Sequence, residues 1–145
     1  MNDQVFGGEA HSGRPARALW TAMARGLLCR CPNCGKGKLF ASYLTVVKQC
    51  DNCGEAMYHH RADDLPAYLV VVIVGHIVLG GYMGLEAATA DLSLGQQLAM
   101  WIPLTIVLAA GLLRPVKGAV VGLQWALYMH GFGGEIDQIE THPEA

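Results

Sequence analysis

The sequence predicts a membrane all-α hairpin, two transmembrane helices plus an interfacial helix, behind a small N-terminal β module. Two long apolar stretches, a paired cysteine motif and a one-sided placement of positive charge carry that expectation. Hydrophobic residues make up 52% of the 145, charged residues 15%, and the mean hydropathy is +0.30. The division is uneven: residues 1–64 hold most of the charge and residues 65–132 very little. A single water-soluble core would not need that division. The net charge of −2 gives no global bias toward nucleic acid.

Residues 1–15 are Gly-rich and polar, and are expected to be disordered. No apolar run occurs before residue 18, and Asp3 and Glu9 stand where a signal peptide carries positive charge, so no cleaved signal is expected. Residues 16–60 are read as a cytoplasmic segment. Within it, residues 16–28 form a short amphipathic helix, with Trp20, Met23 and Leu27 on one face and Arg17, Thr21 and Arg25 on another. Such a helix either lies on a membrane surface or packs on the module that follows it.

Residues 29–60 hold all five cysteines. Cys31-Pro32-Asn33-Cys34-Gly35 is followed, after the 15 intervening residues 35–49, by Cys50-Asp51-Asn52-Cys53-Gly54. Two residues between cysteines let one tight turn aim both sulfurs at one ion, and two such turns supply the tetrahedral thiolates of structural Zn²⁺. Gly35 and Gly54 permit the positive φ that closes each turn. Residues 39–47, with Phe40, Tyr43, Thr45 and Val46, can supply short strands between the turns. The expectation is a zinc ribbon with Cys31, Cys34, Cys50 and Cys53 as ligands. Rubredoxin-like iron uses the same four thiolates and stays open, as does a redox-active dithiol. Four protein ligands would close the coordination shell, which argues against a catalytic metal. Arg30, Lys36, Lys38 and Lys48 lie close in sequence and would offset the negative charge of such a centre. Cys29 is a spare ligand, a reactive thiol or a buried side chain. His59 and His60 could replace a ligand, although the cysteines suffice.

After a polar junction at residues 61–64, residues 65–85 contain no Lys, Arg, Asp or Glu. At about 1.5 Å per residue they would span roughly 30 Å, the thickness of a bilayer core. Asp63 or Asp64 can cap this first span, and Pro66 suits its first turn. Residues 86–97 read as an external loop, and a second span covers residues 94–113, ending sharply at Arg114-Pro115. Pro103 inside it leaves the carbonyl of Ala99 without its helical partner. Residues 118–132 read as an interfacial or re-entrant helix, with a third span as the alternative; residues 133–145 form an acidic tail. Eight of the ten Lys and Arg residues precede the first span, and Arg114 and Lys117 follow the second. That placement sets both ends in the cytoplasm. The pairs Gly80/Gly84 and Gly118/Gly122 offer grooves for close helix approach.

His76 is the one group inside the first span that could titrate near neutrality, so it is a functional candidate; a neutral imidazole bonded to a neighbouring helix is the plain reading. Pairing His76 with His130 as haem or copper ligands has no support from spacing. No Ser-His-Asp arrangement, Walker loop or dinucleotide fingerprint is present, so no catalytic or cofactor-binding residue is assigned.

The run Arg30-Cys31-Pro32-Asn33-Cys34-Gly35-Lys36-Gly37-Lys38-Leu39-Phe40, the pair Cys50/Cys53, the junction Ala62-Asp63-Asp64-Leu65-Pro66-Ala67-Tyr68 and the later Leu113-Arg114-Pro115-Val116-Lys117-Gly118 resemble the bacterial DUF983 family. The resemblance covers about residues 25–132 and departs at Leu65, where the family often has glycine. It implies a small multi-pass protein of the bacterial inner membrane with a zinc-ribbon-like segment. It brings no activity, only an association in alphaproteobacteria with genes for cytochrome oxidase subunits and assembly factors. The resulting expectation is a non-enzymatic accessory or assembly factor that presents a zinc ribbon to a protein partner at the bilayer. A metal- or redox-handling membrane protein is the alternative. A membrane-tethered nucleic-acid binder comes third, because the basic cluster allows it but aromatic residues in the module are few.

Overall fold

The computed structural model describes residues 15–61 and 64–132. The expected disorder of 1–15, the Asp63 cap and the acidic tail at 133–145 lie outside the described residues, apart from Pro15 itself. Three helices follow in order: α1 (Leu19–Leu27), α2 (Asp64–Thr89) and α3 (Leu94–Ala126).

The α2 helix begins at Asp64 and carries Pro66 in its first turn, where the missing N–H costs nothing. It runs through residues read as loop, and the α2–α3 connection is residues 90–93 rather than 86–97. Ser93 starts α3 with a reciprocal cap: its hydroxyl accepts from the N–H of Gln96, and the Gln96 side chain accepts from the N–H of Ser93. Two helices are long and apolar enough to cross a membrane, Asp64–Ala88 and Leu94–Ala126. Most of their apolar side chains face outward, among them Val71, Val72, Leu79, Ile102, Ile106 and Val107. They pack on each other through Val70, Val74 and an edge-to-face pair of Tyr82 and Trp101 with ring centres 5.9 Å apart.

The largest departure from the sequence expectation lies in α3. Arg114-Pro115 does not end it, and residues 118–132 form no separate interfacial helix or third span. The helix continues through Pro103 and Pro115 to Ala126. A proline in a helix interior costs roughly 3 kcal/mol. Residues beyond Pro115 bury Val120, Val121 and Trp125, each worth about 1.5–3 kcal/mol, so tertiary burial outweighs the local penalty. Those residues form one core with Ala22 of α1 and with Cys31, Leu39, Phe40, Val46, Cys50 and Met57 of the cysteine loops.

The α1 helix runs antiparallel to this part of α3. Neither its Trp face nor its Arg face is the buried one. Ala22 and Gly26 are buried, and they meet Gly122 and Gly118, where a Cβ on any of the three glycines would overlap a carbonyl oxygen of the other helix. The Gly118/Gly122 pair is thus a helix-crossing groove, whereas Gly80 and Gly84 face open space. Both α1 and α3 end in the same way. Cys29 and Tyr128 sit in the left-handed region at φ 59° and 56°. The N–H of Arg30 returns to the carbonyl of Arg25, and that of Met129 to Gln124. These bonds satisfy carbonyls that a helix end leaves open.

Candidate metal centre

Between α1 and α2 the chain makes two tight turns. In the first, the N–H of Gly35 donates to the carbonyl of Cys31 at 2.8 Å; in the second, that of Gly54 donates to Cys50 at 2.9 Å. Gly35 and Gly54 have φ of 69° and 72°, the left-handed conformation expected of them. Each turn sits on a short rung of antiparallel backbone. Among the described residues no strand forms, so the expected β character is reduced to three isolated bridges, Arg30–Lys38, Phe40–Val46 and Gln49–Ala56. The segments are too short to extend a ladder, and side-chain packing on α3 holds them instead.

The four cysteines of the two turns converge. The sulfurs of Cys31, Cys34, Cys50 and Cys53 all lie within 4.8 Å of one another. Cys31 and Cys53 are 3.7 Å apart, and Cys34 and Cys50 are 3.8 Å apart. Sulfurs about 2.3 Å from one ion at tetrahedral angles lie about 3.8 Å apart, so the group fits a tetrathiolate metal ion. Gly37 makes the approach feasible, because a Cβ there would overlap the sulfur of Cys50. Cys29 stays outside the group, with its half-buried thiol 3.9 Å from the carbonyl of Leu27. His60 bonds the carbonyl of Met57 through Nδ1, and His59 lies tilted against Tyr58 and edge-on to Phe132. Neither histidine joins the sulfurs. His76 bonds the carbonyl of Val72 on its own helix, not a neighbouring one. His76 and His130 belong to no cluster of three or more metal-ligand side chains among the described residues.

The environments of the thiols differ. The backbone N–H groups of Gly37 and Lys36 pull the Cys34 thiol down to about 6. Burial pushes the Cys31 thiol up, and partial desolvation of the sulfur does the same at Cys53, whose residue as a whole is exposed. The turns therefore stabilise one thiolate in advance, and an ion would have to displace protons from Cys31 and Cys53.

Sequence reasoning missed the groups that brace the turns. Arg25 reaches over Gly35 and donates from Nη1 to the carbonyls of Pro32 and Asn33 at 3.0 and 2.5 Å. It places a cation on the first turn, a role the sequence had given to Arg30, Lys36, Lys38 and Lys48. Glu55 joins the two turns to α3. Its Oε2 accepts from Asn33 at 2.9 Å, and its Oε1 accepts from the Trp125 indole N–H at 3.0 Å. Arg17 lies 3.8 Å from the same carboxylate and 4.0 Å from the ring centres of both Trp125 and Tyr128. Buried Gln124 bonds both the N–H and the carbonyl of Arg61, which fixes the chain just before α2. The i,i+4 spacing of Arg17, Thr21 and Arg25 was visible, but not which carbonyls they would meet.

The segment 40–125 matches the model of a family described as "Protein of unknown function (DUF983)". No curated protein and no solved structure matches the chain. The matched segment holds Cys50, Cys53 and both long helices; the first cysteine turn precedes it. It covers more than half of the chain, which therefore belongs to DUF983.

Proposed function

We propose that this DUF983 protein is a two-span protein of the bacterial inner membrane that holds one structural zinc and presents the metal-bound module to a protein partner. It acts as an accessory or assembly factor, not as an enzyme. The observation that carries the reading is the convergence of Cys31, Cys34, Cys50 and Cys53 with sulfur separations of 3.7 and 3.8 Å. Four thiolates close the shell of Zn²⁺, leaving it no position for a substrate. The outward apolar surfaces of α2 and α3 support the membrane assignment, since lipid can cover them and water cannot do so at low cost. The charge placement supports a cytoplasmic module. Biogenesis of a respiratory complex such as cytochrome oxidase is the setting the family resemblance favours. The outer turn, with exposed Asp51, Asn52 and Cys53, is the surface open to a partner.

Metal content per chain in detergent-purified protein tests the centre. About one zinc is expected in the wild type and none after Cys31→Ser with Cys53→Ser. Iron, or a metal-free disulfide form, would sink the structural-zinc reading. Affinity purification from membranes tests the role, and absence of any stable partner would remove it. The alternative, metal or redox handling, is favoured by the low-lying Cys34 thiol together with the exposure of Cys53. It predicts rapid exchange of the bound ion with free metal, where the structural reading predicts slow exchange.

A further inference from the structure

The end of the module that faces the spans differs in character from the end that carries Glu55 and Trp125. Because Gly26 meets Gly118 and Ala22 meets Gly122, α1 points its C-terminus toward the apolar half of α3. Leu27 and Leu28 therefore stand on that side, and they are 49% and 70% exposed. The turn at residues 41–45 reaches further. The Tyr43 hydroxyl donates to the carbonyl of Ala110, which precedes Arg114 by one helical turn within the uncharged stretch of α3. Tyr43 keeps 47% of its surface exposed at that depth. Arg114 lies 5.3 Å from the centre of the Phe40 ring and marks the level at which charge begins on α3. Residues 25–48 contain Arg25, Arg30, Lys36, Lys38 and Lys48 and no Asp or Glu. Arg30 and Lys38 are exposed and lie opposite each other in an isolated antiparallel backbone bridge, with Leu28 two residues before Arg30 in the chain.

We infer that this edge, formed by Leu27, Leu28 and the Tyr43 turn, is a lipid-binding surface that seats in the headgroup layer of the bilayer spanned by α2 and α3. The inference rests on the two-span reading above. Tyrosine and leucine beside basic residues and free of acidic ones fit the boundary between acyl chains and anionic phosphates. The edge is continuous with the outward apolar face of α3, and its charge complements anionic lipid. The surface holds the module against the membrane, while the exposed Asp51–Cys53 turn adjoins Glu55, which is bonded to Trp125 near the C-terminal end of α3.

The test uses the full chain, zinc-loaded, in vesicles of phosphatidylethanolamine and phosphatidylglycerol that contain radiolabelled phospholipid. The photo-crosslinking residue p-benzoylphenylalanine replaces Tyr43, Leu28, Val72 or Trp20, one at a time. Val72 faces outward as the ninth of the 26 residues of α2, and Trp20 is 70% exposed on the far end of α1. Lipid adducts are expected at 72, 28 and 43, with those at 28 and 43 at least about tenfold above that at 20. Labelling at 72 alone would overturn the inference and leave the spans intact. No labelling at 72 would remove the spans and the inference together. A protein adduct at 28 or 43 in place of labelled lipid would also overturn it. The exposed side chain of Leu28 keeps the test valid if replacing Tyr43 disturbs the turn.

Discussion

Cys29 shows how a residue can be misjudged when only its type is known. Its place beside Cys31 invites a role in metal binding, yet its backbone, at φ 59°, closes α1. An L-residue in that region is held there at a cost of roughly 1–2 kcal/mol, which glycine avoids. Cys29→Gly is therefore expected to change stability by no more than about 1 kcal/mol, since relief of strain offsets the lost thiol packing, and to leave the metal stoichiometry unaltered. A fall in bound metal would show that Cys29 is a ligand after all. Acidity can be argued at the same scale. The Cys31 and Cys53 thiols, raised above the ordinary thiol range by desolvation, stay protonated near neutrality, whereas Cys34 ionises above about 6. Binding must then release at least those two protons, so affinity rises with pH and falls as pH drops. The expected slope is at least about a hundredfold per pH unit near neutrality, steeper below about pH 6, where Cys34 also gains a proton. Competition with a chelating dye across that range measures it, and a flat profile would contradict the assignment.

At the level of elements, the sequence was most informative where one kind of signal sufficed. Cysteine spacing predicted the convergence of four sulfurs, and the uncharged stretches predicted two long helices. It was least informative where packing overrides local preference. Hydrophobic periodicity drew attention to Trp20, Met23 and Leu27, but α1 docks through Ala22 and Gly26, which such a pattern does not weigh. Pro115 reads as a stop signal, and only the burial of residues beyond it explains why the helix continues. Residues 39–47 have the composition of strands yet form only the Phe40–Val46 bridge, and Leu39, Phe40 and Val46 pack into the core shared with α3 instead. The α1–α3 crossing can be tested directly. Gly26→Ala puts a methyl group against the Gly118 carbonyl, and about 1–3 kcal/mol of module stability should be lost. Gly84→Ala, with nothing within 4 Å, should leave it unchanged. Denaturant-induced metal release reads both, and equal midpoints would refute the close crossing.

Over the whole molecule, α3 determines the layout. Its 33 residues extend about 50 Å; a bilayer core would take about 30 Å of that, leaving roughly 20 Å to form the wall of the four-cysteine module. Truncation after Arg114 keeps the apolar stretch of each span but removes Val120, Val121 and Trp125 from the core. The shortened chain is expected to reach the membrane and to lose its metal, which metal analysis of the membrane-extracted protein would show. Retention of about one ion per chain would mean that the cysteine turns fold alone. The same layout gives the protein an order of assembly. During synthesis the four thiols leave the ribosome early, while the helix end that packs over their turns is made well after them. Until then they stand exposed to copper, oxidants and one another. If these cysteines take up an ion, correct loading would depend on events after translation of α3, and interrupted synthesis would leave a chain with unprotected cysteines.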